Sequence, residues 1–224
     1  MLSIDIHKAL HGSQGEMSLN VKLDIKQGEF VMLMGESGSG KTTLLRILAG
    51  LEKAEGTMVV EGNTWNNIAP QKRQIGFVFQ DYALFENMSV EENLLFVNQD
   101  KVLAQKLLTL TELIGLASRN VKSLSGGQKQ RVSLCRSMMN KPRLLLMDEP
   151  LSALDVQMRE TLQHEIVKLH KAFGTTTIMV SHDAESAYAL ADRVIVLELG
   201  KVVKDGSKDE VLKKSTRVSY SLVD

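Results

Sequence analysis

Phe30-Val31-Met32-Leu33-Met34-Gly35-Glu36-Ser37-Gly38-Ser39-Gly40-Lys41-Thr42 joins an apolar run, Phe30–Met34, to a segment of helical periodicity, Lys41–Ala49, that stops at Gly50. Within it Gly35 to Thr42 matches G-x-x-x-x-G-K-[ST], and a strand before and a helix after give that pattern its physical meaning. The glycines let the backbone fold into a concave nest of N–H donors, and the helix start adds positive potential. Lys41 has the reach for outer phosphates, and the Thr42 hydroxyl is a Mg²⁺ ligand type. The alternative is an ordinary glycine-rich turn, against which the strand–helix context counts.

Outward from this loop, short β-branched or apolar runs alternate with longer helical stretches, the pattern of an α/β fold with a mostly parallel sheet flanked by helices. Strands are expected at Phe30–Met34, Thr57–Glu61, Ile75–Phe79, Arg143–Asp148, Thr176–Ser181 and Val194–Leu199. Asp155–Phe173 reads as a helix with Leu162, Ile166, Leu169 and Phe173 on one face, stopped by Gly174. Between Gln80 and Pro142 strand signals vanish, and helices are expected from Ser89, where Glu92 completes a capping box, at Lys101–Ile114 and at Gln128–Met139. Ser207–Asp224 reads as a short polar helix and tail. With 224 residues and about 150 per domain, the expectation is one domain: a core at 1–80 and 142–224 with a helical subdomain at 81–141.

Lys plus Arg and Asp plus Glu both number 27, so nothing suggests a nucleic-acid polyelectrolyte or a basic membrane-surface protein. Hydrophobic residues at 43% and charged ones at 24% exclude a disordered tail as the main reading. Cys135, the one cysteine, permits no intrachain disulfide and no thiolate metal site, which fits a reducing, cytosolic setting. The longest apolar runs, such as Val31–Met34 and Leu144–Met147, fall far short of the roughly 20 residues that span a bilayer. Met1 to Asp5 has no signal-peptide profile, so the chain alone is expected to cross no membrane.

Leu144-Leu145-Leu146-Met147-Asp148-Glu149 is a buried strand ending in adjacent carboxylates, with Asp155 soon after. Beside a phosphate loop, the first acid suits a Mg²⁺ shell and the second suits polarising an attacking water. Successive strand residues point to opposite sides, so the two are not interchangeable; taken alone they would be solvated acids before Pro150. Leu124-Ser125-Gly126-Gly127-Gln128 leads into another helix, and its serine and glycines read as a second phosphate nest without a lysine, or as a plain helix cap.

These two loops together resemble the ATP-binding cassette (ABC) ATPases, and the resemblance covers nearly the whole chain. It implies a P-loop NTPase (RecA-like) core, an N-terminal antiparallel β region and an inserted helical subdomain. It implies ATP contacts from Gly35, Glu36, Ser37, Gly38, Ser39, Gly40, Lys41, Thr42 and Thr43. Ser125, Gly126, Gly127, Gln128 and Asp155 would approach the nucleotide of a second copy packed head to tail. Mg²⁺ would be held by Thr42, Gln80 and Asp148, and catalysis carried by Glu149, His182 and Gln80. Ser152-Ala153-Leu154-Asp155 resembles the loop through which two cassettes sense each other, and Asp155 is equally a helix N-cap; both roles can coexist. The family's adenine-stacking aromatic would fall in the region of Leu10–Ser13, where this chain offers only His11.

Pro70 to Phe85, running through Ile75-Gly76-Phe77-Val78-Phe79-Gln80, resembles bacterial importer ATPases for oxyanions, sugars, polyamines and ferric iron, with Glu86 where those commonly continue with Pro. The resemblance implies a homodimer that powers transmembrane permease subunits, served indirectly by a periplasmic or surface solute-binding protein. It places the chain peripherally on the cytoplasmic face of the inner membrane. Ending at Asp224, the chain looks most like molybdate-type importer ATPases without their C-terminal sensing domain. The alternatives are thiamine, polyamine, iron or sugar import, or lipoprotein or drug export. Cys135 and Met138 read as core positions of the signature helix. His164 and His170, six apart, read as surface residues and no metal pair. Trp65 falls in a polar loop without an assigned role.

Overall fold

A computed structural model describes residues 1–12 and 15–212, with side chains described outside 11–16. In chain order the elements are β1 (Leu2–Gly12), β2 (Gly15–Ile25), β3 (Phe30–Met34), α1 (Lys41–Ala49), β4 (Glu55–Val60), β5 (Asn63–Thr64), β6 (Ile75–Val78), α2 (Val90–Leu95), α3 (Lys101–Leu110), α4 (Gly126–Met138), β7 (Leu144–Asp148), α5 (Val156–Phe173), β8 (Thr176–Val180), α6 (Ala184–Leu190), β9 (Arg193–Glu198), β10 (Lys201–Ser207) and α7 (Lys208–Leu212). The chain divides into two compact units, Met1–Arg73 with the chain from Ile178 onward, and Gln74–Thr177.

In the first unit β1 and β2 form a long antiparallel ribbon, paired from Leu2 with Ile25 to Gly12 with Gly15. Leu2, Ile4, Ile6, Leu19, Val21, Leu23 and Ile25 are buried while residues between them face outward, the period of two that a one-sided antiparallel sheet requires. This ribbon is the N-terminal antiparallel β region that the resemblance implies, although its strands, like β5, β10 and α6, were not among the elements read from the residue pattern. β4 adds to β1 antiparallel. The chemistry-bearing part is parallel: β3 runs beside β9, from Val31 with Arg193 to Met34 with Val196. β10 returns antiparallel along β9. Strand ends otherwise depart from expectation by a residue or two, as frayed ends do. Of the polar stretch Ser207–Asp224, α7 is described and 213–224 lie outside the described residues.

One buried side chain closes the phosphate-loop helix. α1 ends at Gly50 in the left-handed region (φ 77), and the Arg73 guanidinium occupies the space a Gly50 side chain would need, 2.7 Å from an added Cβ. Arg73 donates from Nη1 to Ile47 O (2.9 Å) and Leu48 O (2.7 Å), from Nη2 to Trp65 O (2.7 Å) and from Nε to Ile68 O (2.9 Å). Two of those carbonyls lie in the last turn of α1: Ile47 O also accepts from Gly50 N (2.9 Å), and Leu48 O takes the guanidinium in place of a helical N–H. Trp65 thereby gains a role: it is buried, and the guanidinium lies 5.6 Å from its ring centroid.

In the second unit β6 and β7 pair in parallel, Ile75 with Leu144 through Val78 with Met147. β7 is buried along Leu144–Met147, as a continuous apolar run requires. α4 crosses β6 at Gly76, where an added Cβ would meet Ser137 O at 2.5 Å. α3 was expected to reach Ile114 but ends at Leu110. Glu112 turns left-handed (φ 54), and the N–H groups of Leu113 and Glu112 donate to Leu108 O (2.7 Å) and Thr109 O (3.2 Å). This is a helix-terminating motif usually marked by glycine, here carried by glutamate. α4 begins at Gly126, earlier than the Gln128 expected.

Arg73→Ala removes the side-chain donor from Leu48 O and Ile68 O, while Ile47 O and Trp65 O keep the N–H groups of Gly50 and Ile68. Loss of about 3 kcal/mol of unfolding free energy is expected, read as a lowered urea midpoint with an unchanged slope.

Candidate active site

The loop between β3 and α1 is built on glycines whose backbone conformations other residues rarely adopt. Gly35, Gly38 and Gly40 have φ of 141, 84 and 99, in the region closed to most side chains. At Gly35 an added Cβ would lie 2.0 Å from Leu197 O. Lys41 is buried, and its Nζ donates to Gly35 O (2.8 Å) and Glu36 O (2.7 Å), holding a positive charge over the loop. Ser39 Oγ is buried with no hydrogen-bond partner. α1 has a glycine N-cap, no capping side chain and no acid in its first turn, whereas α2, α3, α4, α5 and α6 are each capped by a serine or aspartate. A cradle with an uncapped helix start, a lysine and an orphaned hydroxyl fits a polyphosphate.

In the same unit the Ser181 N–H donates to Leu33 O at 3.3 Å, so the exposed His182 leaves its strand beside the end of β3. Asp183 then caps α6, accepting from the backbone of Glu185 and Ser186, each at 3.1 Å, and from the Ser186 hydroxyl.

In the second unit Gln80 and the acids Asp148 and Glu149 leave the C-terminal ends of neighbouring parallel strands, the edge at which open α/β sheets place ligands. β6 stops at Val78, so exposed Gln80 sits in a turn beyond the strand. That turn is held from the helices. Asn93 pairs with the backbone of Phe85 (N to Oδ1 2.9 Å, Nδ2 to O 3.1 Å). Arg136 donates to Ala83 O at 2.7 Å and lies 5.5 Å from the Phe85 ring centroid. Tyr82 and Ala83 are both left-handed, with φ of 62 and 47. Asn93 and Arg136 were not singled out in the sequence; a buried asparagine within an apolar helical stretch is the signal that could have found the first.

Asp148 and Glu149 are half-buried, and Glu149 is left-handed (φ 47) immediately before Pro150. That conformation costs a glutamate about 1–2 kcal/mol. Ser152 stabilises it, donating from N (3.3 Å) and Oγ (3.0 Å) to Glu149 O.

Ser125 and Gln128 form a reciprocal capping box: Gln128 N donates to Ser125 Oγ (3.3 Å) and Ser125 N to Gln128 Oε1 (3.0 Å). The Ser125 hydroxyl thus accepts inward, and its hydrogen remains for donation. Asp155 caps α5 through Oδ1 to Met158 N at 2.9 Å. Ser125, Gly127 and Gln128 share with Asp155, Met158 and Arg131 a pocket of about 280 Å³. Met158 packs against Gly127, where an added Cβ would lie 2.8 Å from its Sδ.

Among the remaining expectations, Cys135 and Met138 are fully buried, and burial pushes the Cys135 thiol up to about 12, so it is unreactive. His164 is exposed and contacts Glu160 O (2.8 Å). The surface reading of His170 needs correction: it is half-buried, and its Nδ1 hydrogen-bonds Thr177 Oγ1 at 2.9 Å, because the end of α5 turns back onto β8. His11 has its backbone in β1, while its side chain lies outside the described residues. No group of three or more His, Cys, Asp or Glu residues able to hold a metal occurs among the described residues. No described helix is long and apolar enough to cross a membrane.

A phosphate cradle, a carboxylate-ended strand and a capped glycine turn define a nucleotide-binding α/β ATPase class. Residues 19–152 match the ABC transporter family, and the chain belongs to it. It is 42% identical to the spermidine/putrescine import ATP-binding protein PotA of Clostridium novyi (strain NT), over 86% of this chain and 58% of that one. It is 45% identical to the Fe(3+) ions import ATP-binding protein FbpC 2 of Rhizobium meliloti (strain 1021), over 86% and 51%. The chain therefore spans little more than half the length of these curated relatives. Its fold is similar to the dimeric post-hydrolysis state of the ATP-binding cassette MJ0796 bound to ADP and Pi, with TM-score 0.80, 31% identity and coverage of 93% and 99%. It is also similar to cbiO1 of Clostridium perfringens, part of the ABC transporter complex cbiONQ, with TM-score 0.84, 26% identity and coverage of 96% and 91%. The fold is thus that of an ABC ATPase with a P-loop NTPase core.

Gly35→Ala must displace the backbone of β9 or of the loop itself. Destabilisation of about 2 kcal/mol or more is expected, together with weakened binding of a fluorescent ATP analogue measured by titration.

Proposed function

We propose that the chain is the ATP-hydrolysing subunit of a bacterial ABC importer and forms a single cassette domain. The observation that supports this most is the β3–α1 cradle: three left-handed glycines, an uncapped helix start, Lys41 folded over the loop and the orphaned Ser39 hydroxyl. Gly35 to Thr43 bind the phosphates of ATP, with Lys41 exchanging its loop carbonyls for phosphate oxygens. Thr42, Gln80 and Asp148 would be the protein donors for Mg²⁺, an all-oxygen set suited to that hard cation. When bound, the ion neutralises charge developing on the phosphates. Glu149 orients and polarises the attacking water; His182 contacts the outer phosphate, and Gln80 senses it.

Two copies pack head to tail, so that Ser125, Gly126, Gly127, Gln128 and Asp155 of one close over the nucleotide of the other. The Ser125 hydroxyl, which accepts from Gln128, is left to donate outward to a phosphate. Hydrolysis then loosens the pair, and the motion passes to permease subunits at the cytoplasmic face of the membrane, with a solute-binding protein upstream. For cargo, the stretch Pro70–Phe85 is common to importers of oxyanions, sugars, polyamines and ferric iron, and molybdate or a related oxyanion is the first candidate to assay. The relatives named for spermidine/putrescine and for Fe(3+) put polyamines and ferric iron beside it.

Lys41→Ala is expected to weaken ATP binding about 10-fold or more, a loss of at least one charged hydrogen bond; unchanged affinity in a calorimetric titration would remove the cradle from the nucleotide site. Glu149→Gln is expected to keep ATP affinity, lower kcat about 100-fold or more and accumulate an ATP-bound dimer on a sizing column; normal turnover would remove Glu149 from catalysis. Mild-detergent extraction with the chain as bait is expected to recover a permease, whose vesicles then report uptake of labelled molybdate, spermidine or ferric iron. Recovery of ribosomal or DNA-bound partners alone would overturn the transport reading.

A further inference from the structure

α4 begins at the Ser125–Gln128 turn, and α5 begins at Asp155. One side chain connects the two. Arg131 of α4 donates through Nη1 to Glu165 Oε1 of α5 at 3.0 Å and to the backbone O of Thr111, the C-cap of α3, at 3.1 Å. The same Arg131 lines the pocket that Ser125, Gly127, Asp155 and Met158 surround. Glu165 is 3% exposed, and its second oxygen, Oε2, is buried with no hydrogen-bond partner.

We propose that Arg131, held by Glu165, is a positioning residue for the ATP hydrolysis assigned above: it fixes the Ser125 turn against the Asp155 turn, so that one copy presents both to its partner's nucleotide as a single rigid surface. The inference rests on that cassette reading. Stability alone does not account for the pair. A buried carboxylate with one unsatisfied oxygen is costly, and an apolar pair of similar volume would commonly pack at least as well. What an apolar pair lacks is direction. The planar guanidinium sets the distance and angle of α5 and of the end of α3 at once.

Titration of Glu165 gives the proposal a signature that simple packing would not have. Burial, opposed by Arg131, pushes its carboxyl up to about 7. The charged and titratable groups facing it are Arg131 and Cys135 from α4, Glu112 from the turn after α3, and Lys168 on α5 itself. Cys135 stays a neutral thiol through this range, Glu112 raises the Glu165 value, and Arg131 and Lys168 lower it. Raised above its unfolded value, Glu165 favours the fold most below the ordinary carboxylate range, and that contribution is lost as pH climbs through about 7. The ion pair with Arg131 is complete only on the alkaline side. Stability and positioning therefore move in opposite directions with pH.

The test compares the full chain with Arg131→Lys and Glu165→Gln, measuring MgATP affinity, kcat, KM and, with Glu149→Gln added, ATP-driven dimerisation. Both variants are expected to bind MgATP within about twofold of the wild type, because the cradle is untouched, and to lose about tenfold in kcat and in dimer affinity. The wild type is expected to gain activity between about pH 6 and 8, and Glu165→Gln to lose that rise. Kinetics within about twofold of wild type in both variants, or a pH rise that survives Glu165→Gln, would overturn the proposal. So would parallel loss of MgATP affinity and melting temperature, which marks a merely structural role. A wild-type chain that binds no MgATP would instead overturn the cassette reading itself.

Discussion

Everything at the phosphate cradle depends on one absence of volume. Leu197 O lies where a Cβ on Gly35 would be, so the chain leaving β3 passes under β9 only as glycine. That close passage lets the loop wrap and start α1 without a capping side chain. A helix so begun has N–H groups and a positive dipole end aimed into the loop. Lys41 adds charge, and its bonds to Gly35 O and Glu36 O close the loop on itself. The elements around it, β3 parallel to β9 and Arg73 under the far end of α1, hold both ends of that helix in place.

The cradle was readable in the sequence because its demands are local. Glycine spacing, a lysine and a threonine at a strand–helix junction are consequences of backbone geometry within a dozen residues. The capped turn at Ser125 and the N-cap at Asp155 were legible for the same reason: each is a side chain reaching its own next turn. The β1–β2 ribbon follows an equally plain alternation, but Lys8, Ala9 and Ser18 blur its outer end, and it is missing from the strand expectations. What stayed illegible is set by distant partners. The role of Arg73 has no local signal, because the carbonyls it meets, two of them in α1, lie far from it in the chain. Glu112 ends α3 in a conformation that glycine usually advertises. His170 reads as exposed because the sequence around it does not reveal that Thr177 returns to it.

The two nests of the chain are made differently. The first is open and positive, without a capping side chain. The second is already satisfied: Ser125 and Gln128 cap each other, and Met158 lies over Gly127. A self-capped turn keeps its shape with no ligand present, so its surface is preorganised, whereas the first nest holds its shape through a lysine that a ligand can draw away. Strain is similarly localised. Glu149 is held in a left-handed turn by Ser152 just beyond the end of β7, which restricts where that carboxylate can go.

Arg73 carries a consequence for the order in which the molecule is made. Gly50 and Leu51 cap Ile47 O and Arg46 O locally, but Leu48 O is met by a side chain some two dozen residues further on, so on a ribosome the helix emerges with that carbonyl unpaired. It is completed only when Trp65, Ile68 and Arg73 have followed. β9, against which β3 pairs, is synthesised much later still. The phosphate-loop helix thus has a sealed end well before its strand has a partner, and a nascent chain at that stage holds a stabilised helix beside an unpaired apolar strand. That interval, set by the spacing between Ile47, Arg73 and Arg193, is the period in which β3 is most exposed to wrong pairing.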